Sequence, residues 1–348
     1  MTAPIVAVRL RALGDITLCT AALQSLRRGF PDAPLHVVTE PRFVPLLEGQ
    51  PGIERVWALE RTTAASLRLI GKLRRLKPAL AVDFFGNSRS AVLARGTGAR
   101  TVWGYDMRGR QHLYHRTVPR VQHPGGDRRE YAAASLVRLA RAAGGADIRA
   151  FPHLELTASA RAAGERVLAA AGVREPERTV ALVPAGSWPS KTWPLSHFAQ
   201  LALRLHAAGH PLVAIGGPGE ESVLRRLAAL VPGLPTLSAP DVAALAGAIA
   251  PLRALVGTDS GPRHLAIAFG VPTYTWFGPA HPDAWTPDDP AHAYWRTPLP
   301  CRACELTQCA HWNCLPALAS AEASARVLAH LERHPRADAR ASGEARHA

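Results

Sequence analysis

Short, almost uniformly apolar runs alternate along this chain with longer segments whose apolar residues recur every three or four positions. The first pattern reads as strands buried on both faces, the second as helices packed on a sheet. In the first half, Ile5–Leu10, Leu35–Thr39, Ile53–Leu59, Leu80–Phe84 and Thr101–Tyr105 are the expected strands. Helices are expected over Ile16–Arg28, near Phe43–Glu48, over Ala64–Leu76 and Asn87–Ala94, and then over Glu130–Gly144. Residues 106–128 are polar, basic and rich in histidine, and read as a surface loop or part of a binding site. Asp147–Pro176 reads as a linker. A second series follows, with strands at Val180–Val183, Pro211–Gly216, Thr236–Leu237 and Leu252–Val256, and helices at Glu220–Val231 and Asp241–Ala248. Residues 315–333 read as a final helix and 335–348 as a disordered tail. This alternation predicts an α/β fold with mostly parallel sheets, in domains spanning 1–165 and 170–333.

The stretch Val256–Pro279, VGTDSGPRHLAIAFGVPTYTWFGP, organises the second series: a strand, a polar turn, a short helix and the strand TYTWF. In an open α/β sheet, ligands bind beyond the carboxyl ends of the strands, and a helix N-terminus there offers N–H groups to a phosphate. Asp259 is an anion on that rim and suits hydroxyl groups or a proton better than a phosphate. Asp259 and Ser260 also suit a helix cap, but capping leaves His264 and the second turn, Gly278-Pro279, unexplained.

Other strand-end loops carry chemistry too. Gly14 permits a tight turn, and Asp15 either takes a proton from a hydroxyl nucleophile or complements the dipole of the helix it opens. The loop Pro184–Phe198 offers the hydroxyls of Ser187, Ser190 and Thr192 and the charge of Lys191, a set suited to a diphosphate or, alternatively, a Trp- and Pro-rich packing loop. Glu220 and Glu221 follow GGPG, where a carboxylate meets a ribose diol. No GxGxxG follows the first strand and no GxxxxGK[ST] occurs, which argues against an ordinary dehydrogenase or P-loop ATPase.

Charge narrows the partners. The formal charge is +14, and residues 1–165 hold 25 Lys and Arg against 13 Asp and Glu. A basic half suits nucleic acid, an acidic lipid headgroup or a phosphorylated glycan, or simply solubility. Its basic residues are not interleaved with aromatics, which argues against nucleic acid. Only three lysines occur, Lys72, Lys77 and Lys191; the first two lie in a basic helical run. No apolar run approaches the roughly 20 residues of a membrane span, and no basic leader precedes the first strand, so a cytoplasmic protein is expected. Cys19 reads as a packed core thiol. Cys301, Cys304, Cys309 and Cys314 are close enough in sequence to hold a structural zinc, iron or iron–sulfur cluster, with free thiols or disulfides as the alternatives.

Together, RLRALGD at 9–15, DFFGNSRSA at 83–91, VPAGSWPSKTWP at 183–194, GGPGEE at 216–221 and GTDSGPRHLAIAFGVPTYTWFGPAHPDAW at 257–285 resemble the lipopolysaccharide heptosyltransferases of glycosyltransferase family 9. The resemblance implies a GT-B fold, two Rossmann-like domains facing each other across a cleft. It implies inverting transfer, without a required metal, from ADP-heptose or another nucleotide-diphosphate sugar. The acceptor it implies is an anionic inner-core lipopolysaccharide at the cytoplasmic face of the inner membrane. Carried onto this chain, Asp15 becomes the general base, and Lys191 and Ser187 hold the donor phosphates. Glu220 or Glu221 meets the ribose and Asp259 the sugar hydroxyls, while the backbone of Ser260 and Gly261 contacts phosphate beside His264. Arg11, Gly14, Asn87 and Arg89 fall on the acceptor side. Ser260 stands where members usually carry threonine, and Thr20-Ala21-Ala22 where many carry proline. The cysteine spacing is also similar to that of relatives that glycosylate proteins and bind iron through four cysteines, which leaves a protein acceptor, or an inactive member, as alternatives.

Overall fold

The computed structural model describes residues 2–121, 129–186, 188–297, 299–301 and 303–335. They divide into two units, Met1–Thr157 with Asp283–Pro287, and Ala158–Pro282 with Asp288–Ala348.

The first unit runs β1 (Ile5–Val8), α1 (Leu13–Gly29), β2 (Leu35–Thr39), the one-turn α2 (Val44–Leu47), β3 (Arg55–Ala58), α3 (Thr63–Arg75), β4 (Leu80–Asp83), α4 (Ser88–Gly96), β5 (Thr101–Asp106), β6 (Arg116–Pro119) and α5 (Ala132–Ala142). Its strands form one parallel sheet in the order β3-β2-β1-β4-β5-β6, with Val8 in register with both Val38 and Asp83. Parallel neighbours require crossovers, which here are largely the helices, so β1, β2 and β4 are buried along their whole length.

The second unit runs α6 (Ala158–Ala170), β7 (Val180–Val183), α7 (Leu195–Ala207), β8 (Leu212–Gly216), α8 (Glu221–Leu230), β9 (Thr236–Ser238), α9 (Val242–Ile249), β10 (Ala254–Thr258), α10 (Gly261–Ala268), β11 (Thr273–Trp276), β12 (His292–Trp295) and α12 (Ser320–Arg333), while the one-turn α11 (Pro282–Trp285), between β11 and β12 in the chain, falls from Asp283 on in the first unit. Its sheet is also parallel, in the order β12-β11-β10-β7-β8-β9. Counted from each unit's first strand, the two orders are the same. Each reverses direction once, between β1 and β4 in one unit and between β7 and β10 in the other. At such a switch point the adjoining crossovers leave on opposite faces, and a crevice opens at the carboxyl ends.

Four expectations need correction. The division falls at Ala158, not after residue 165, and the expected linker contains α6, because α6 packs on α9. A Cβ on Gly164 would lie 2.0 Å from the Gly247 backbone, and one on Gly247 would lie 1.9 Å from the Ala160 carbonyl oxygen. The expected loop 106–128 contains edge strand β6. Edge strand β12 was not anticipated. The last helix starts at Ser320, not at 315. Residues 336–348 of the expected tail lie outside the described residues. No described helix is long and apolar enough to cross a membrane.

Candidate functional site

In the first unit, the site begins where β1 ends. Arg9 is buried, with its guanidinium 5.1 Å from the Phe85 ring. One amino group donates to the Phe84 carbonyl at 2.6 Å and the other lies 2.5 Å from Asp15 Oδ1. Asp15 Oδ2 accepts the Ala12 N–H at 3.2 Å, which closes the loop onto the first turn of α1. That helix begins at Leu13, so Gly14 lies inside it and does not form the tight turn expected of it.

Asp83, the last residue of β4, is fully buried. Its Oδ1 accepts the N–H groups of Phe85 and Gly86 at 2.9 and 3.0 Å, and its Oδ2 the hydroxyls of Ser90 and Tyr114 at 2.7 and 2.8 Å. Burial pushes its carboxyl above the usual range, and these four donors pull the other way. They fix the loop whose Phe84 carbonyl holds Arg9. Asn87 Oδ1 accepts the Ser90 N–H at 2.7 Å and caps α4. Arg89 donates to the Glu60 carbonyl and to Ser66 Oγ. Both residues are therefore engaged locally.

Beside them, Glu40 follows β2 and is buried. It accepts two hydrogen bonds from Arg61, at 3.1 and 3.0 Å, and lies 3.4 Å from Arg42. Burial opposes its charge, but Arg61, Arg42 and Arg11 outweigh that and hold the carboxyl below its ordinary value. Arg11, Arg42 and Arg61 against one carboxylate leave this rim cationic. Arg9, Glu40, Arg61 and Asp83 were not singled out from sequence. Arg9 carried a usable signal, a charge directly after a strand buried on both faces.

In the second unit, Gly257 has φ +154°, and a Cβ there would sit 2.3 Å from the Val183 carbonyl oxygen of β7. Only glycine allows that approach at the switch point. Two residues on, Asp259 is buried, with Oδ2 2.6 Å from Lys191 Nζ and Oδ1 4.0 Å from the fully buried Arg263 guanidinium. Burial alone would raise its carboxyl, but Lys191, Arg263 and His264 overcome this and hold it below the ordinary aspartate value. Lys191 Nζ also stands 4.5 Å from the Trp188 ring centroid.

Both readings of the 184–198 loop are true of different residues in it. Trp193 donates Nε1–H to the Leu318 carbonyl at 3.0 Å and packs 4.4 Å from Trp276 and 5.1 Å from Phe198, ring to ring. Ser190 Oγ donates to the carbonyls of Leu306 and Thr307. With these anchored, the loop presents Lys191 to Asp259. Ser187 lies outside the described residues. Ser260 makes no side-chain cap; its Oγ donates to the Thr258 carbonyl at 3.2 Å, and Gly261 opens α10 with His264 buried in its first turn. Glu220 Oε2 accepts the Gly217 N–H at 2.8 Å at the neighbouring β8 end, and burial raises its carboxyl. Glu221 accepts from Gly219 N–H and Ser238 Oγ, both at 3.1 Å. Lys191, Asp259, Ser260, Gly261 and His264 thus gather at one switch point, with the two glutamates one strand away.

The expected metal centre is overturned. Among the described residues no three His, Cys, Asp or Glu side chains gather in a way that could hold a metal ion. Cys301, Cys304, Cys309 and Cys314 are free thiols, the first two exposed. Their segment acts as a strap: Glu305 N–H donates to the Pro279 carbonyl, and Thr297 Oγ1 to the Cys314 carbonyl. Cys19 is a buried thiol whose pKa burial pushes up to about 12.

Compared with known proteins, residues 66–314 match the model of glycosyltransferase family 9 (heptosyltransferase). The chain is 27% identical over 296 residues to lipopolysaccharide heptosyltransferase 3 of Escherichia coli, covering 80% of this chain and 84% of that protein. Its fold is similar to that of a glycosyl transferase family 9 protein from Veillonella parvula, with a TM-score of 0.81 at 20% identity over 96% of this chain and 99% of that one. It is also similar to that of the E. coli ADP-heptose lps heptosyltransferase II, with a TM-score of 0.79 at 19% identity over 95% and 99%. These likenesses make the two Rossmann-like units a GT-B-type fold.

Proposed function

The chain belongs to glycosyltransferase family 9 (heptosyltransferase), and we propose that it moves heptose, with inversion, from ADP-heptose to an anionic inner-core lipopolysaccharide acceptor. The observation that carries this reading is the pair of partly buried Lys191 with buried Asp259 beside the first turn of α10, at the switch point of the second unit. In an inverting transfer, the acceptor hydroxyl oxygen forms a bond to the anomeric carbon as the bond to the diphosphate oxygen breaks. Asp15 takes the hydroxyl proton, a step general bases assist by roughly 10²–10⁴-fold. The leaving diphosphate keeps the electron pair, and its charge falls to Lys191 and the N–H groups at the start of α10. Asp259 holds Lys191 in place, and Glu220 suits the ribose.

The basic rim of Arg11, Arg42 and Arg61 suits a phosphorylated acceptor, and such an acceptor places the enzyme at the cytoplasmic face of the inner membrane. The rival protein acceptor drew its support from an iron-binding cysteine set, and loses that support here.

Calorimetric titration with ADP, UDP and GDP tests the donor half. Selective ADP binding, weakened about tenfold or more in Lys191→Ala, is expected for the loss of a charge-assisted contact. Preference for UDP or GDP, or unchanged affinity in the variant, would overturn it. Asp15→Asn is expected to abolish transfer while ADP affinity stays within about twofold. Full activity in that variant would remove Asp15 as the base.

A further inference from the structure

Below the loop that carries Arg61, a cavity of about 290 Å³ runs between edge strand β3 and helix α3 of the first unit. Arg55 and Trp57 line it from the strand, with the guanidinium 4.0 Å over the indole ring, and Arg68 and Lys72 line it from the helix. Glu60 is the one carboxylate on its wall. Among the described residues neither Arg68 nor Lys72 has an ion-pair partner.

The sequence of α3, TAASLRLIGKLRR, holds four cations and no carboxylate. Leu69 and Leu73 are buried against the unit, so the opposite face, with Leu67, Arg68, Gly71, Lys72, Arg74 and Arg75, meets solvent. Leu67 is 64% exposed, more than any other large apolar side chain among the described residues. Val92 is exposed on α4, which the Arg89–Ser66 hydrogen bond ties to α3.

Ordinary structural needs explain only part of this. Lys72, Arg74 and Arg75 complement the helix C-terminus, and Arg55 blunts a sheet edge. Neither need accounts for Arg68, a turn further back and four residues from Lys72, whose like charge it repels, nor for the leucine standing out next to it. Cations around a protruding leucine match an anionic lipid surface, where phosphates meet the charges and the aliphatic chain enters the acyl boundary. A soluble phosphate would leave Leu67 without a role.

We propose that the outer face of α3, together with the β3–α3 cavity, docks the first unit onto a bilayer rich in anionic phospholipid, with a headgroup phosphate held among Arg55, Arg68 and Lys72. The purpose of the docking, delivery of a lipid-linked acceptor to the Asp15 loop, rests on the proposed transferase reading; the docking itself does not.

The test is co-sedimentation of the full chain with phosphatidylglycerol-containing and pure phosphatidylcholine vesicles at low and high salt. Wild type is expected to bind only the anionic vesicles and to release them at high salt. Arg68→Gln/Lys72→Gln is expected to bind on the order of thirtyfold more weakly, the effect of two surface cations. Leu67→Gln is expected to weaken binding to the anionic vesicles at low salt. Arg225→Gln/Arg226→Gln, which removes the same charge from α8 of the second unit, is expected to bind within about twofold of wild type. Equal loss in the two double variants, equal binding to both vesicle types, or no binding by wild type would overturn the proposal. ADP titration of the same preparations reports fold and donor site separately, so failure of the transferase reading is distinguishable from failure of the docking surface.

Discussion

Arg9 links the two loops at the first switch point, and its effect should appear in turnover more than in binding. It touches Asp15 with one amino group and the Phe84 carbonyl with the other. Arg9→Met frees the Asp15 carboxylate to swing and strips the carbonyl of its donor. Turnover should fall at least about tenfold, while ADP affinity, which the proposed donor site assigns to the other unit, stays unchanged. Arg9→Lys should restore part of the turnover, because a lysine reaches one of the two acceptors; steady-state kinetics beside ADP titration checks both. Asp259 makes the corresponding prediction in the second unit. Its lowered pKa means that its stabilising effect is present above the ordinary aspartate range and is lost as pH falls through the depressed native value. Asp259→Asn leaves Lys191 and the buried Arg263 short of their counter-charge, and should cost about 3 kcal/mol in urea unfolding. A loss below about 1 kcal/mol would mean that other contacts of Arg263 carry it.

At the scale of elements, the α6–α9 contact brings Gly164 and Gly247 backbone to backbone, too close for a side chain on either. Gly164→Ala must push the helices apart, since the atoms it meets are main chain and cannot rotate away. A loss of about 2–3 kcal/mol in unfolding free energy is expected, where a solvent-facing Gly→Ala in a helix would stabilise. Small residues explain why α6 was illegible: ASARAAGERVLAA offers alanines and a glycine where an amphipathic helix shows large apolar residues. The inner strands were legible because burial on both faces makes each a solid apolar run. The edges β6 and β12 were not, since RTVP and HAYW mix exposed and buried positions. Of the candidate site, Asp15, Lys191 and Asp259 could be named because each lies in the loop or first helical turn that follows a recognisable strand. Asp83 and Arg9 act through partners 31 and 75 residues away, which no local pattern reveals. The cysteines erred the other way: close spacing in sequence did not bring four sulfurs to one point.

At the scale of the whole molecule, the repeated strand order gives both units the same architecture, but two buried groups, His330 in the second unit and Asp83 in the first, respond to acid in opposite directions. In the second unit, His330 on α12 is buried, 5.5 Å from the Tyr274 ring and 4.7 Å from His334. Burial, then the charges of His334, Arg333 and Arg253, push its pKa down to about 4, against a hydrogen bond with the Ala291 backbone. Below the ordinary histidine pKa the unfolded chain takes up a proton that the native unit refuses until about pH 4. Stability is therefore lost as pH falls through that window. In the first unit, burial raises the Asp83 carboxyl, so the native state there binds a proton more readily than the unfolded chain, and its contribution grows as pH falls. Between pH 7 and pH 5, amide exchange should quicken on α12 and β11 relative to β4. His330→Gln should recover on the order of 1 kcal/mol of the second unit's loss at pH 5 while changing little at pH 7. Exchange that quickens equally in both units, and equally in the variant, would show that His330 does not set the acid response and that the surface carboxylates common to both units do.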